Sequence, residues 1–91
     1  MKTSAAYLDA IRDKYALKSD SQAAALLGVT RASASRFRNG DDSFSDTNAA
    51  KIAELLECDP LEVLISAHLQ RAKDERTRAL WESLARRVGI M

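Results

Sequence analysis

No stretch of this chain stays apolar for the roughly 18 residues that a membrane-spanning helix needs. The N-terminal run "MKTSAAYLDAIRDKYAL" is broken by Asp9, Arg12 and Asp13, where an export signal would be apolar. A cytoplasmic protein with no membrane contact is therefore expected. Cys58 is the single cysteine, so no internal disulfide can form, which suits a reducing compartment. It reads as a small, half-buried apolar residue rather than a reactive thiol. One cysteine and one histidine, His68, cannot build a metal site of the familiar kinds. No nucleophile–base pair and no glycine-rich phosphate loop can be read. No cofactor, no metal and no enzymatic activity are expected. Glycine is rare (three residues) and proline rarer (one), while alanine and leucine dominate. That balance favours helices over sheets.

What is present fits one domain with a short appendage. Hydrophobic residues make up 46% of 91 residues, too many for a disordered chain. A domain this small buries a modest fraction of its surface, so association with another chain is plausible on energetic grounds. The net charge of +1 hides a segregation. Residues 1–40 carry seven Lys/Arg against three Asp/Glu, residues 41–69 carry one against seven, and residues 70–91 carry six against three. A polyanion senses the field of one face, not the total. The acidic middle segment should face away from it.

Helix boundaries are legible along the chain. The first helix is predicted from about Ser4 to Tyr15, with Leu8, Ile11 and Tyr15 on one apolar stripe. "SDSQ" (Ser19 to Gln22) reads as a capping box, and Gly28 closes the short helix that it opens. Thr30 caps a third helix to about Arg38, ended by Asn39-Gly40. Phe44 precedes a Ser45 cap and can staple onto Ala49. The fourth helix shows Ala49, Ile52, Ala53 and Leu56 on one face. Asp59 and Pro60 start the fifth, with Leu61, Leu64, Ile65 and Leu69 as its apolar face. Residues 70–76, "QRAKDER", either break the helix or continue it in solvent. Beyond them Trp81, Leu84, Ala85 and Val88 form a further stripe, and Gly89 is the natural stop.

Two short helices joined through one turn glycine make a helix-turn-helix. The motif needs a small residue four before the glycine, and Ala24 is there. It needs apolar residues on either side of the glycine, and Leu27 and Val29 are there. Ala34 and Phe37 are placed to turn inward. Arg31, Ala32, Ser35 and Arg36 are left outward.

On these residues, "SQAAALLGVTRASASRFRNG" resembles the core of the lambda-repressor/Cro-like DNA-binding domains, and "SDTNAAKIAELLECDPLEVL" extends the likeness. The likeness covers roughly residues 4–69, and the short all-helical chain looks most like small phage or prophage repressors. It implies an all-α, lambda-repressor-like five-helix domain over 1–69, with a C-terminal helical extension over 70–91 for packing or dimerisation. It implies sequence-specific binding of double-stranded DNA and transcriptional regulation, with the third helix in the major groove. Arg31, Ala32, Ser35 and Arg36 then occupy the base-reading positions. Arginine can fork onto guanine, and the Ala32 methyl can meet a thymine methyl. Ser19, Ser21, Gln22, Thr30, Ser33, Arg38 and Asn39 are the expected phosphate contacts. A homodimer on a pseudo-palindromic operator is expected, with Leu64, Leu69, Trp81, Leu84 and Val88 as candidate interface residues. An anti-repressor or toxin protein is a further possible partner. The alternatives are a DNA-binding antitoxin of a toxin–antitoxin pair and a non-DNA-binding helical adaptor. Two departures from the family pattern stand out. Asp20 replaces the frequent glutamine at the start of the second helix, where an acid would repel phosphate. Ala34 is smaller than usual, which would draw the two helices together. Nothing in the sequence explains Asp41 and Asp42 just past the motif.

Overall fold

Each helix starts at a residue whose side chain takes one of the free amides of the first turn. The computed structural model describes residues 2–89, and these form six helices and no strand. They are α1 (Ser4–Lys14), α2 (Asp20–Leu27), α3 (Arg31–Asn39), α4 (Asp46–Leu56), α5 (Pro60–Arg71) and α6 (Glu75–Arg87). The caps in chain order are Thr3, Ser19, Thr30, Ser45, Asp59 and Asp74. The break after α5 is now placed. Asp74 caps α6 by accepting from the Thr77 amide at 2.7 Å and from the Thr77 hydroxyl at 2.9 Å. The capping box at Ser19 is only half of one. Ser19 Oγ accepts from the Gln22 amide, but Gln22 Oε1 accepts from the Lys18 amide at 2.6 Å and passes over that of Ser19.

Gly28 adopts φ +82°, which lets the amides of Gly28 and Val29 both reach the Ala24 carbonyl, at 2.8 and 3.0 Å. That closure turns the chain from α2 into α3.

The core is an aromatic and aliphatic cluster beneath the motif. Tyr7, Leu8 and Ile11 of α1, Ala23 and Leu27 of α2, Phe37 of α3, and Ala49, Ile52 and Ala53 of α4 are all buried in it. Val63 and Ala67 of α5 complete it. Phe44, in the loop before α4, stacks at a tilt on Phe37 (centroids 4.4 Å apart) and meets Tyr7 edge-on at 6.4 Å. The Tyr7 hydroxyl is satisfied inside the core by Ser66 Oγ at 3.2 Å, and Ser66 in turn donates to the Glu62 carbonyl.

Two apolar faces differ from the sequence pattern. Tyr15 lies past the end of α1 and is 40% exposed, its hydroxyl donating to the Leu55 carbonyl, while Tyr7 takes the core position. Leu61 at the start of α5 is 39% exposed. The face of α5 that meets the main core is Val63 and Ala67, with Leu64 partly buried against it. Ile65 and Leu69 are buried outside that cluster, and α6 packs on α5. Trp81 of α6 stacks flat on His68 (4.4 Å, 17°), Ala85 is fully buried, and Arg78 donates to the Leu69 carbonyl. The expectation of Leu69 at a dimer surface is therefore corrected: at 5% exposure, within its own chain, it has no surface to offer a second copy.

Candidate nucleic-acid interface

α3 divides cleanly by burial. Ala34 and Phe37 face inward, both under 5% exposed, on a helix that packs against α2. Ala24 and Ala34, both 1% exposed, are small residues on two helices that pack on each other, which suits a close approach. Arg31, Ala32, Ser35 and Arg36 are all exposed, as is Asn39 at the last position. The four expected base-reading residues thus share the side of α3 that carries no packing duty.

The N-terminal turn of α3 is built from hydroxyls. Thr30 Oγ1 accepts from the Ser33 amide and donates to Ser33 Oγ, both at 3.0 Å. Arg36 Nη2 donates to the same Ser33 Oγ at 3.1 Å, and Arg36 Nε lies 3.9 Å from Asp42 Oδ2. Arg36 is thus held between Ser33, one turn back, and Asp42, past the end of the helix. Asp42 has a structural account. Its carboxylate accepts from the Ser43 amide, its carbonyl accepts from Gln70, and its charge sits beside Arg36. Asp41 lends its amide to the Arg36 carbonyl at 2.9 Å, closing α3. Nothing in the structure explains why residue 41 is acidic.

Arg31 has no hydrogen-bond or ion-pair partner among the described residues. It lines a shallow polar notch of about 350 Å³ with Ser19, Asp20, Ser21, Ser35 and Arg38. The notch lies between the start of α2 and α3, where free amides and the helix dipole favour an anion. Ser19 uses its oxygen as the cap and keeps its hydroxyl proton to give. Gln22 uses its carbonyl on Lys18 and keeps its NH₂ group.

Arg38 is arranged differently from the other arginines of α3. Its guanidinium forks onto Asp20, Nε to Oδ2 at 3.0 Å and Nη2 to Oδ1 at 2.9 Å. Nη2 also donates to Asp9 of α1 at 2.8 Å. Arg12 of α1 adds a bond to Asp20 Oδ1 at 3.2 Å and one to the Lys18 carbonyl at 3.0 Å. The hydrogen bonds from Arg38 hold the Asp20 and Asp9 carboxyls below the usual aspartate range, and the two acids hold the guanidinium charged. The departure noted at Asp20 is thereby resolved: the acid is neutralised by two arginines. Sequence reading placed Arg38 against phosphate and did not single out Arg12 or Asp9. The only local hint was the polar pair Asp9 and Arg12 at i, i+3 on α1.

Elsewhere the chemistry is sparse. Among the described residues no group of three His, Cys, Asp or Glu could hold a metal. Cys58 is half-buried, and burial pushes its thiol up. No helix of the described residues is long and apolar enough to cross a membrane.

Two short helices about a glycine turn, the second presenting arginine and small residues outward, define a helix-turn-helix protein of the DNA-binding class. A family model described as "Helix-turn-helix" matches residues 10–63, more than half of the chain. The chain belongs to this lambda-repressor/Cro-like helix-turn-helix family and is a DNA-binding transcription regulator. No curated protein and no solved structure matches it.

Proposed function

We propose that this protein is a sequence-specific repressor of the small phage or prophage type, binding a pseudo-palindromic operator as a homodimer. The observation that carries the reading is the division of α3. Ala34 and Phe37 hold it to the core, while Arg31, Ala32, Ser35 and Arg36 stay exposed. Arg31 and Arg36 read base edges, guanine above all, because a guanidinium matches the O6/N7 pair. Ala32 and Ser35 are short enough for the helix backbone to enter the groove. Ser19, Ser21, Gln22, Thr30, Ser33 and Asn39 fix the helix on phosphates through hydroxyl and amide donors.

One such module covers too little DNA for useful selectivity, so two copies act together, with recognition helices about 34 Å apart. The seam is the outer flank of α6. Leu80 is 71% exposed and Val88 41%, with half-buried Leu84 between them at i+4 spacing. Leu80, Trp81 and Leu84 border a shallow apolar groove with Ser83 and Arg87. Trp81 stacks on His68 and contributes its remaining edge. The same apolar flank supports the antitoxin reading, in which a toxin covers it.

The test is selection of preferred duplexes from a random library, followed by mobility shift on the winner. A palindromic winner, and a loss of about 1–3 kcal/mol for each of Arg31→Ala and Arg36→Ala, are expected. Wild-type affinity in both variants would remove the assigned reading face. Light scattering reads the dimer, which Leu80→Glu should dissociate. A monomer that co-purifies with a second small protein would favour the toxin partner.

A further inference from the structure

An acid at the first residue of α2 stands where a DNA phosphate would be attracted. Asp20 is also the hub of a four-residue charge cluster. Arg38 forks onto it and Arg12 adds a third bond, while Asp9 shares the Arg38 Nη2. Two guanidiniums and two carboxylates cancel, so the cluster presents little net field. The side chains of Asp20, Arg12 and Arg38 are each about one third exposed, and Asp20 and Arg38 line the notch with Arg31, Ser19 and Ser21. Arg38 therefore lies within the candidate interface, yet its donors point at protein carboxylates on α1 and α2. A bidentate arginine–carboxylate pair has fixed geometry, unlike a single lysine contact. It ties the last turn of α3 to both other helices.

Resting on the DNA-binding reading above, we propose that Asp20, assisted by Asp9, is an internal counter-ion that withholds Arg38 from the DNA backbone. Arg38 acts as a strut that sets the pose of the recognition helix, and the interface carries one phosphate contact fewer than its arginines could make. Binding to arbitrary sequence is weakened, and a larger share of the affinity comes from base edges. Asp20 and Arg38 are positioning residues in this scheme and touch no base.

The test is the salt dependence of binding to a short mixed-sequence duplex, read by fluorescence anisotropy. Log affinity falls with log salt by about 0.9 for each phosphate neutralised. The double variant Asp9→Asn/Asp20→Asn keeps the shapes and removes the charges. It should bind arbitrary duplex about eightfold more tightly at 0.1 M salt, with a slope steeper by about 0.9. Adding Arg38→Gln to that variant should return the slope to the wild-type value. Arg38→Gln alone should leave the slope unchanged. A slope that drops by about 0.9 in Arg38→Gln alone would place Arg38 on phosphate in the wild type and overturn the proposal. So would a triple variant that keeps the steeper slope, since Arg12 freed from Asp20, or the general field of the acids, would then carry the change instead of Arg38. Circular dichroism melts accompany each variant, and if the triple variant is unfolded, the Arg38→Gln arm carries the test alone. Failure of the DNA-binding reading itself looks different: the wild type would bind no duplex at any salt concentration.

Discussion

Phe44 is predicted to be the joint between the core and the recognition helix. It is 1% exposed, and its ring bridges Phe37 on α3 and Tyr7 on α1. Phe44→Ala removes the transfer free energy of the ring and leaves a cavity beneath α3, at a cost of about 3–5 kcal/mol. A 91-residue domain has about 5–14 kcal/mol in total, so the loss is about a fifth of it or more. Phe44→Leu keeps much of the volume but gives up two aromatic pairs, each contributing about 0.5–1.5 kcal/mol. It should cost about 1–3 kcal/mol. Urea unfolding followed by far-ultraviolet circular dichroism reads both. With a slope of about 1–1.5 kcal/mol per molar, the alanine variant should lose about 2–5 M in midpoint. Trp81 fluorescence supplies a second probe from α6, and the two curves should coincide if α6 unfolds with the core. DNA affinity of the folded fraction should change less than stability, because no outward residue of α3 is touched. A loss below about 1 kcal/mol for Phe44→Ala would refute the reasoning, since the site would then collapse at no cost.

Glu57 closes α4 in the left-handed region at φ +56°, where a side chain is strained, so Glu57→Gly should stabilise by about 1 kcal/mol and raise the melting temperature by about 4 °C. The opposite sign would mean that its 3.8 Å contact with Lys14 outweighs the backbone strain. Tyr7→Phe should cost about 1 kcal/mol in urea unfolding, because the hydroxyl donates to buried Ser66 Oγ, and an unchanged midpoint would deny that bond a role. The Asp20 carboxyl titrates below its unfolded value because of Arg38, so its contribution is present above about pH 4 and is lost as pH falls through the folded value. The melting difference between wild type and Asp20→Asn should hold steady from about pH 7 to 5 and shrink below about pH 4, and a difference that stays flat down to pH 3 would contradict it.

Local signals made most of the fold legible. The caps at Ser19, Thr30, Ser45 and Asp59, and the glycines at 28 and 40, act on amides and carbonyls a few residues away. The inward pair Ala34 and Phe37 followed from the positions that a helix-turn-helix needs apolar, and the outward face of α3 was what they left. The misreadings have two physical origins. A stripe read on α5 gathered Leu61, Leu64, Ile65 and Leu69 onto one face, but that helix is covered from two sides, so its buried residues do not make a single stripe. Tyr15 matched the period of α1, but the helix ends before it.

Charge partners are harder still to read, because Coulomb attraction sets no sequence spacing. Arg36 and Arg38 are two residues apart on one exposed-looking helix, and nothing in "SRFRNG" separates their roles. Their environments do. Arg36 reaches a hydroxyl three residues back on its own helix and lies 3.9 Å from the Asp42 carboxylate, whereas Arg38 forks onto a carboxylate 18 residues away and donates to another 29 away. A residue two positions along a helix is turned by about 200°, so Arg38 faces α1 and α2 while Arg36 faces outward. The same rotation makes basicity a poor guide to DNA contact in short recognition helices. A guanidinium with a forked carboxylate must surrender that pair before it can bind phosphate, and an arginine held by one serine hydroxyl and a looser 3.9 Å carboxylate contact gives up less. On that ground Arg31 and Arg36, rather than Arg38, are the arginines of α3 that we propose meet DNA.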